Sequence, residues 1–169
     1  MNQDTTLLIS PLNNQHNRSV FCCGVGMLDT YIQKQASQDN KRNVSRIFVA
    51  TTQDQPEAIL GYYTLSTLSL AVNDMPEAYM RKLPKHPIPT ALIGRLAVGQ
   101  QAQGNGIGKM LVIDAINRIV SISQDIAVYA IVVDAIDHAA TKFYTQFGFM
   151  PLNMKTRRLF VPLRTVMML

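Results

Sequence analysis

The sequence predicts an α/β fold built on a mixed, partly antiparallel sheet flanked by helices. Strand and helix signals follow the order β-α-β-β-(α)-β-α-β-α-β-β, so some strands are joined directly and others through a helix. The composition, 47% hydrophobic and 16% charged, is that of a globular protein. A length of 169 residues suits one domain with a sizeable core, and we expect residues 1–169 to form that single domain.

Runs of apolar, β-branched and aromatic residues predict the strands. They lie over residues 5–12, 47–51, 58–72, 91–98, 126–133, 149–152 and 158–163. The prolines Pro84, Pro87 and Pro89 are expected to break any regular element before the fourth strand. Tyr62 and Tyr63 are adjacent in the third strand, so we expect one to face the core and the other to line a cleft.

Helices are predicted over residues 27–36, 73–83, 107–122 and 137–147. The third is the clearest, because its apolar residues recur every three or four positions and its polar residues fall on the other side. Asp137 is suited to cap the fourth helix at its N-terminus, and Gly148 is suited to end it.

Positive charge is concentrated in acid-free stretches of a chain whose formal net charge is +5. Residues 78–113 and 138–169 contain no aspartate or glutamate. Such blocks of one sign favour polyanionic partners. A solvated basic surface that also contacts a phosphorylated cofactor is the alternative explanation.

The histidines, cysteines and apolar runs argue against a metal site, a disulfide and a membrane span. The three histidines do not cluster in sequence with acids or cysteines, so we expect no metal site. Cys22 and Cys23 are adjacent and are predicted to be reduced thiols. No apolar run approaches the ~18 residues of a membrane span, and no secretory signal is evident. We therefore expect a cytoplasmic protein that does not contact a membrane.

A glycine-rich segment, Gln103-Gly104-Asn105-Gly106-Ile107-Gly108, separates the fourth predicted strand from the clearest helix. Backbone amides of such a loop and of a first helical turn are unpaired and converge, which suits a phosphate or pyrophosphate. Glycine permits positive φ and close approach of a ligand, and Lys109 adds a positive charge. The simpler alternative is a glycine turn that only starts the helix.

Two common phosphate-binding fingerprints do not fit this segment. A dinucleotide-binding G-x-G-x-x-G pattern starting at Gly104 requires glycine where the chain has Lys109. A Walker A loop would require glycine at Gln103 and serine or threonine at Met110. The pattern that remains is Q-x-x-G-x-G.

The strand, the Q-x-x-G-x-G loop and the amphipathic helix together resemble motif A of the GNAT superfamily of N-acetyltransferases. The segment from Asp137 to Phe149 resembles motif B, where a helix bearing an aromatic pair leads through a glycine into the next strand. The wider sequence looks like the GNAT toxins of bacterial type II toxin–antitoxin systems. The matching segments are Phe21–Gly24, Leu28–Asp29, Gly61–Leu65, Ile93–Val98, Val133–Ala135 and Arg158–Phe160. Gly99 is a departure, because an acid is expected there.

The resemblance implies a sheet splayed at the cofactor site and transfer of an acetyl group from acetyl-coenzyme A to an amine. In this family the pantetheine arm pairs with the strand before the loop, and the loop holds the pyrophosphate. The residues so assigned to cofactor binding are Leu96, Ala97, Val98, Gln103, Gly104, Asn105, Gly106, Ile107, Gly108, Lys109 and Phe143. Tyr144 stands where the family has a tyrosine that donates a proton to the coenzyme A sulfur. The alternative is a core aromatic residue.

The toxins of this branch acetylate the free α-amine of aminoacyl-tRNA and so stop translation. The resemblance therefore implies three partners: aminoacyl-tRNA, a second copy of the chain, and an antitoxin similar to ribbon-helix-helix DNA-binding proteins. The basic residues that we assign to substrate are Arg81, Lys82, Lys85, Arg95, Arg157 and Arg158. For Arg95, an ion pair that fixes the sheet edge is the alternative.

Residues 91–98 contain no carboxylate that could serve as a general base. This suits an α-amine, whose pKa of about 7.7–8.0 lies well below the value of about 10.4 for lysine. Two other functions stay open. One is a housekeeping acetyltransferase acting on a protein N-terminus or a small amine, and the other is a non-catalytic coenzyme A–binding regulatory module.

Overall fold

The computed structural model describes residues 6–168. Its strands are β1 (Leu7–Pro11), β2 (Arg46–Thr52), β3 (Gly61–Leu70), β4 (Ile88–Val98), β5 (Ala130–Asp134), β6 (Met150–Pro151) and β7 (Arg158–Pro162). Its α-helices are α1 (Gly26–Thr30), α2 (Ala36–Lys41), α3 (Glu77–Met80), α4 (Ile107–Ile122), α5 (His138–Thr145) and α6 (Leu163–Met167). A π-helical turn, Tyr31–Gln35, connects α1 to α2.

The seven strands follow the order β1-β2-β3-β4-β5-β7-β6 in a mixed sheet. Strands β1, β2 and β3 pair antiparallel. Strand β3 follows β2 directly in the chain, whereas α1 and α2 lie between β1 and β2. Strands β4 and β5 pair in parallel from Thr90–Ala130 to Ile93–Val133, and α4 lies between them in the chain. Strand β7 pairs antiparallel with both β5 and β6. The predicted mixed, partly antiparallel α/β sheet is confirmed, while its splaying at the cofactor site stays a prediction.

The described chain forms two compact units. The first extends to Ser66 and includes Arg95–Ala115, and the second comprises Thr67–Gly94 and the chain from Ile116 onward. The core of the first unit is rich in aromatic rings. Phe21, Tyr31 and Tyr62 are almost completely buried there, together with Ile32 and Ala97.

The core of the second unit lies around β5. Ala130, Val132 and Phe160 are completely buried, and Leu70 and Ile88 pack against them. Alternate residues of β5 therefore contribute to this core, while the remaining residues, Ile131 and Val133, are also completely buried. A strand buried on both faces reads as a continuous apolar run, which is how the sequence predicted it.

The helix predicted over residues 27–36 is longer and less regular than expected. It runs from Gly26 to Lys41 and contains the π-helical turn. The predicted four-residue spacing of Leu28, Ile32 and Ala36 is retained, and all three residues are buried. A pattern of apolar residues locates the buried face, but it does not reveal a widened turn within it.

Other boundaries also differ from the prediction, and the strand predicted over 58–72 is shorter, Gly61–Leu70. Strand β4 begins at Ile88, so Pro89, which was expected to precede the strand, lies inside it. Pro89 is exposed, and its carbonyl accepts a hydrogen bond from Tyr129 N at 2.9 Å. Strand β5 begins at Ala130 because Ile126 still bonds to the end of α4 and is 66% exposed. The short helix predicted over 73–83 is a 3₁₀ turn, Val72–Asp74, followed by α3.

Helix α6 was not predicted, and the predicted strand residue Leu163 is its first residue. The first predicted strand begins at Leu7 rather than at Thr5, and Thr5 lies outside the described residues. No helix within residues 6–168 is long and apolar enough to cross a membrane.

Candidate functional site

The glycine loop between β4 and α4 has the backbone conformation that the sequence predicted. Gly104 has φ +82° and Gly106 has φ +79°, both in the left-handed region that L side chains rarely adopt. A Cβ built at either glycine would meet no atom within 4 Å. The conformation therefore demands glycine, and the space beside the loop is open to a ligand.

Two polar side chains hold this loop in place. The Gln103 amide donates to Val98 O at 2.9 Å and to Cys23 O at 3.0 Å, which joins the loop to the end of β4 and to the segment before α1. The Asn105 amide donates to Ala102 O at 3.1 Å. Both amide groups are thus occupied by backbone carbonyls. Their predicted contribution to cofactor binding would be to position the backbone amides.

Helix α4 presents its N-terminus directly after the loop. The first backbone bond of the helix runs from Met110 N to Gly106 O at 3.2 Å, so the preceding amides have no partner inside the helix. Lys109 is exposed and forms no ion pair within the described chain. Unpaired amides, a positive helix end and a free ammonium group are the features that bind an anion.

Gly99 lies where the resemblance led us to expect an acid. Its amide donates to Leu60 O at 2.8 Å, and a Cβ at this position would lie 3.3 Å from the same carbonyl oxygen. The next amide, of Gln100, donates to Cys22 O at 2.8 Å. The close approach of these segments leaves little room for a side chain at position 99.

The strand end assigned to the pantetheine arm, Leu96-Ala97-Val98, is the last part of β4. Ala97 is buried in the core of the first unit, while Leu96 and Val98 are half-buried. The Val98 carbonyl is already occupied by Gln103. Contacts of this strand with a ligand stay a prediction.

Tyr144 lies on α5, the helix of the predicted motif B. Asp137 caps this helix as predicted, because its carboxylate accepts a hydrogen bond from Ala140 N at 2.8 Å. Gly148 has φ +93° and lies three residues beyond the last residue of α5, at the end of the turn that follows the helix. The predicted N-cap is therefore confirmed, while the helix ends before Gly148, at the C-cap Gln146.

The Tyr144 ring is packed and its hydroxyl is free. The residue is 6% exposed, and its ring meets Phe143 and Phe149 edge to face at centroid distances of 5.3 and 5.7 Å. The hydroxyl has no hydrogen-bond partner within residues 6–168. Burial, assisted by the charge of Asp134, raises the pKa of Tyr144 above its ordinary value. The phenol is therefore a protonated donor at neutral pH, with its proton available.

The basic residues assigned to substrate differ in how far they are already engaged. Arg81 pairs with Glu77 at 2.6 Å, but both side chains are about three-quarters exposed, so the pair is weak. Lys82 and Lys85 are exposed. Arg157 donates to the Ile136 carbonyl at 2.6 Å. These residues keep most of their charge at the surface.

Arg158 has a structural partner that the sequence analysis did not foresee. Its guanidinium forms two bonds to Asp134, at 2.8 and 3.3 Å, across the pairing of β7 with β5. Asp134 also helps to raise the pKa of Tyr144. The sequence signal for Asp134 was its place at the end of a continuous apolar strand. Arg158 therefore forms an ion pair within the protein, and its contact with substrate stays a prediction.

The alternative role of Arg95 as an ion pair and the prediction that one of Tyr62 and Tyr63 lines a cleft are not borne out. Arg95 forms no ion pair with any described residue; its guanidinium lies 3.7 Å from the centroid of the Tyr31 ring. Tyr62 and Tyr63 are both completely buried, so neither lines a cleft. Tyr62 donates to Leu28 O and Tyr63 to Asp114, each at 2.6 Å, which satisfies both hydroxyls within the protein.

The two cysteines are free thiols, as predicted. Cys22 is exposed and contacts Gln100 at 3.6 Å, whereas burial raises the pKa of the Cys23 thiol to about 11. No group of three or more potential metal ligands occurs in the part of the chain that the structure describes.

Two curated proteins that are similar to this chain are named as toxins. A probable toxin TacT from Sinorhizobium fredii is 31% identical over 168 residues, which span 94% of this chain and 92% of that protein. A tRNA-acetylating toxin from Mycobacterium tuberculosis is 36% identical over 129 residues, which span 76% of this chain and 75% of that protein.

Solved structures of toxins are similar over nearly the whole chain. The structure of AtaT complexed with acetyl-methionyl-tRNAfMet superposes with a TM-score of 0.88 at 27% identity, covering 96% of this chain and 98% of that one. A tyrosine-to-phenylalanine mutant of AtaT, bound to the C-terminus of the antitoxin AtaR and acetyl-CoA, superposes with a TM-score of 0.80 at 26% identity and 96% coverage of both chains.

These similarities confirm the resemblance to GNAT toxins that the sequence predicted. The model of the acetyltransferase (GNAT) family matches residues 24–149, a span that contains the glycine loop, α4 and α5. The chain belongs to the acetyltransferase (GNAT) family.

Proposed function

We propose that this protein is a toxin that uses acetyl-coenzyme A to acetylate the α-amine of aminoacyl-tRNA and thereby blocks translation. The family membership supports the acetyl transfer. Relatives named as a tRNA-acetylating toxin and as AtaT bound to acetyl-methionyl-tRNA support the acceptor. The observation on this chain that carries the proposal is the glycine loop, with its two left-handed glycines and open space before α4.

The residues of this loop fit the pyrophosphate of coenzyme A. The positive φ of Gly104 and Gly106 turns the backbone, and the amides of Ile107, Gly108 and Lys109 form the first turn of α4. Such amides bind phosphate oxygens without the help of an acidic or metal-binding side chain. The Lys109 ammonium group adds a charge to the same anion, and Gln103 keeps the loop in position.

Acetyl-coenzyme A, when bound, supplies an activated acetyl group as a thioester. We assign to the backbone of Leu96, Ala97 and Val98 the pairing with the pantetheine arm, and to its amides the polarisation of the thioester carbonyl. Tyr144 would donate a hydrogen bond from its phenol to the sulfur and so stabilise the leaving thiolate. Its free hydroxyl suits that role, because a phenol that already donates to a protein group could not donate to the sulfur. We assign Phe143 to the wall of the same site.

The acceptor amine needs no base from the protein. Strand β4, from Ile88 to Val98, contains no carboxylate. An α-amine has a pKa of about 7.7–8.0, and the neighbouring ester of an aminoacyl group lowers it further. A large neutral fraction is therefore present at physiological pH, and water accepts the proton that the amine loses.

The acceptor is held by charge. Lys82 and Lys85 are exposed on the segment after α3, and Arg81 keeps most of its side chain exposed despite its pair with Glu77. Arg157 is exposed and uses only one nitrogen, Nη1, to bond the Ile136 carbonyl. These cations release counterions when they meet a phosphate backbone, so we expect tRNA binding to weaken steeply with salt.

The remaining parts of the proposal concern organisation and partners. Strands β3 and β4 and helix α4 each contribute residues to both units, which supports a single domain over residues 1–169. The complex of AtaT with its antitoxin supports an antitoxin partner, for which we propose the ribbon-helix-helix class. We also propose that the protein is cytoplasmic, where aminoacyl-tRNA is found, and that it acts as a homodimer.

Incubation with labelled acetyl-coenzyme A and charged total tRNA tests this function. We expect label on the α-amine of at least one amino acid, which hydrolysis of the ester and chromatography identify. Gly106→Asp serves as a variant with a blocked cofactor loop and should give no label. A folded wild-type protein that binds acetyl-coenzyme A but labels no charged tRNA would refute the proposal.

A further inference from the structure

Arg95 is a half-buried residue whose guanidinium has no ion-pair partner among the described residues. Its main chain is fixed within β4, where its amide donates to Thr64 Oγ1 at 3.0 Å. Within residues 6–168, however, its guanidinium forms no ion pair and no hydrogen bond. Arg46 and Arg158 differ, because their guanidinium groups are occupied by asparagine oxygens and by a carboxylate, respectively.

An aromatic platform holds the Arg95 guanidinium from one side. Its central carbon lies 3.7 Å from the centroid of the Tyr31 ring. The Tyr31 hydroxyl donates to Asp39 at 2.9 Å, and its ring stacks on Tyr62 at a centroid distance of 6.3 Å. Burial and the bond to Asp39 raise the pKa of Tyr31 to about 12, so this hydroxyl remains a donor. Asp39 is thereby committed to the tyrosine.

Stacking fixes the plane of a guanidinium without using its donors. The five N–H groups of arginine point outward within that plane, so a ring against one face leaves them all available. No buried side-chain nitrogen or oxygen lacks a partner in the described chain, and it follows that the unpartnered nitrogens of Arg95 are reachable from solvent. The fold thus orients a cation and leaves its hydrogen-bonding edge open.

The platform coincides with the irregular part of its helix. Tyr31 is the first residue of the π-helical turn, and Tyr31 and Ile32 are both buried. Turns of this kind are rare within α-helices and occur frequently at functional sites. The helical irregularity and the unneutralised cation are independent observations on neighbouring residues.

We infer that Arg95 binds a phosphate group of the substrate through its guanidinium edge, with Tyr31 and Asp39 as positioning residues. A planar guanidinium matches two oxygens of a phosphate, and a cation held on a ring does not have to be ordered when the phosphate arrives. This inference rests on the proposed function, which supplies two sources of phosphate: the tRNA backbone and coenzyme A. The experiment below distinguishes them.

The test compares Arg95→Gln and Arg95→Lys with Arg42→Gln. Arg42 is an exposed cation at the end of α2, so its variant controls for the loss of one charge. One arm measures kcat and KM for charged tRNA, and the salt dependence of tRNA binding by fluorescence anisotropy. The other arm measures the affinities for coenzyme A and for 3′-dephospho-coenzyme A by calorimetry. Circular dichroism and thermal melting establish that each variant is folded.

If the phosphate belongs to tRNA, Arg95→Gln raises KM for charged tRNA by about 10- to 100-fold, the loss expected for a charged hydrogen bond. It also reduces the slope of log affinity against log salt by roughly 0.7–0.9. Arg95→Lys keeps the charge but not the two-pronged geometry, so its loss is intermediate in KM while its salt slope is retained. Tyr31→Phe keeps the ring and Tyr31→Leu removes it, so only Tyr31→Leu should approach the effect of Arg95→Gln.

If the phosphate belongs to coenzyme A, Arg95→Gln instead weakens binding of coenzyme A. Binding of the dephospho form is then unchanged when the contact is to the 3′-phosphate, and is weakened as well when the contact is to the pyrophosphate. The inference is overturned if folded Arg95→Gln behaves like Arg42→Gln in both arms. Failure of the wild-type protein to acetylate charged tRNA would refute the proposed function instead. The coenzyme A arm would then decide the inference about Arg95 by itself.

Discussion

Replacing Tyr144 with phenylalanine separates the packing of this residue from its chemistry. The ring is almost completely buried between Phe143 and Phe149, and phenylalanine preserves these contacts. The hydroxyl that is removed has no partner among the described residues, so no donor or acceptor of the protein is left unpaired. We therefore expect the free energy of unfolding to change by no more than about 0.5 kcal/mol.

The expected loss of turnover is much larger. A hydrogen bond to a charged group contributes about 1.5–3 kcal/mol, and in this reaction the negative charge develops on sulfur only as the bond breaks. At about 1.4 kcal/mol per factor of ten, kcat should fall roughly 10- to 150-fold with little change in the affinity for acetyl-coenzyme A. Because burial and the charge of Asp134 raise the pKa of Tyr144, the phenol stays protonated and the ratio of rates should be constant from about pH 7 to 9.

Single-turnover acetylation of charged tRNA under saturating acetyl-coenzyme A measures this effect. Tyr129→Phe is the matched control, because Tyr129 is a half-buried tyrosine outside motif B and its variant should retain wild-type turnover. Wild-type turnover in a folded Tyr144→Phe protein would refute the assignment and leave Tyr144 as a core residue. A parallel rise in the dissociation constant of acetyl-coenzyme A would instead point to a binding role.

The other predictions concern the loop and the basic surface. Gly106→Asp should abolish acetyl-coenzyme A binding in calorimetry because it places a carboxylate in an anion site. Gly106→Ala should show only the strain of a left-handed φ, about 1–2 kcal/mol. Unchanged affinity in folded Gly106→Asp would exclude this loop as the cofactor site. Gln103→Ala removes two hydrogen bonds that position the loop, each contributing about 0.5–1.5 kcal/mol. The dissociation constant of acetyl-coenzyme A should therefore rise several-fold. No change would show that the loop is held by other contacts. Arg157→Gln should weaken tRNA binding without lowering the melting temperature. Arg158→Gln should lower the melting temperature because it leaves Asp134 unpaired. An unchanged melting temperature with weakened tRNA binding, measured by anisotropy, in Arg158→Gln would show that Arg158 acts mainly on substrate.

The parts of the fold that the sequence predicted well are those with a strong local pattern. Helix α4 has the predicted bounds because a long apolar stripe starts at a glycine and ends in polar residues. The N-cap at Asp137 was also predictable, since a short acidic side chain directly before a helix is suited to accept a hydrogen bond from an amide of the first turn. In both cases the interactions that decide the structure lie within a few residues of each other.

The errors concern contacts between residues that are distant in the chain. Nothing local shows that Arg158 meets Asp134, 24 residues away, or that Arg95 rests on Tyr31. The adjacent residues Tyr62 and Tyr63 are both buried because elements on both sides of β3 cover them, which strand alternation alone cannot indicate. The glycine loop was predictable because its conformation requires specific residues. The basic surface was less predictable, because the charges in a sequence do not show which cations are already paired within the fold.

The central claim is that the acetyl group is transferred to an amine carried by tRNA. The most direct measurement compares kcat/KM for charged total tRNA with kcat/KM for a panel of peptides with free N-termini and for small polyamines, at one salt concentration. The account predicts efficient transfer to charged tRNA that falls steeply as salt rises, and little transfer to the peptides or polyamines. Efficient acetylation of peptides with no transfer to charged tRNA would contradict it.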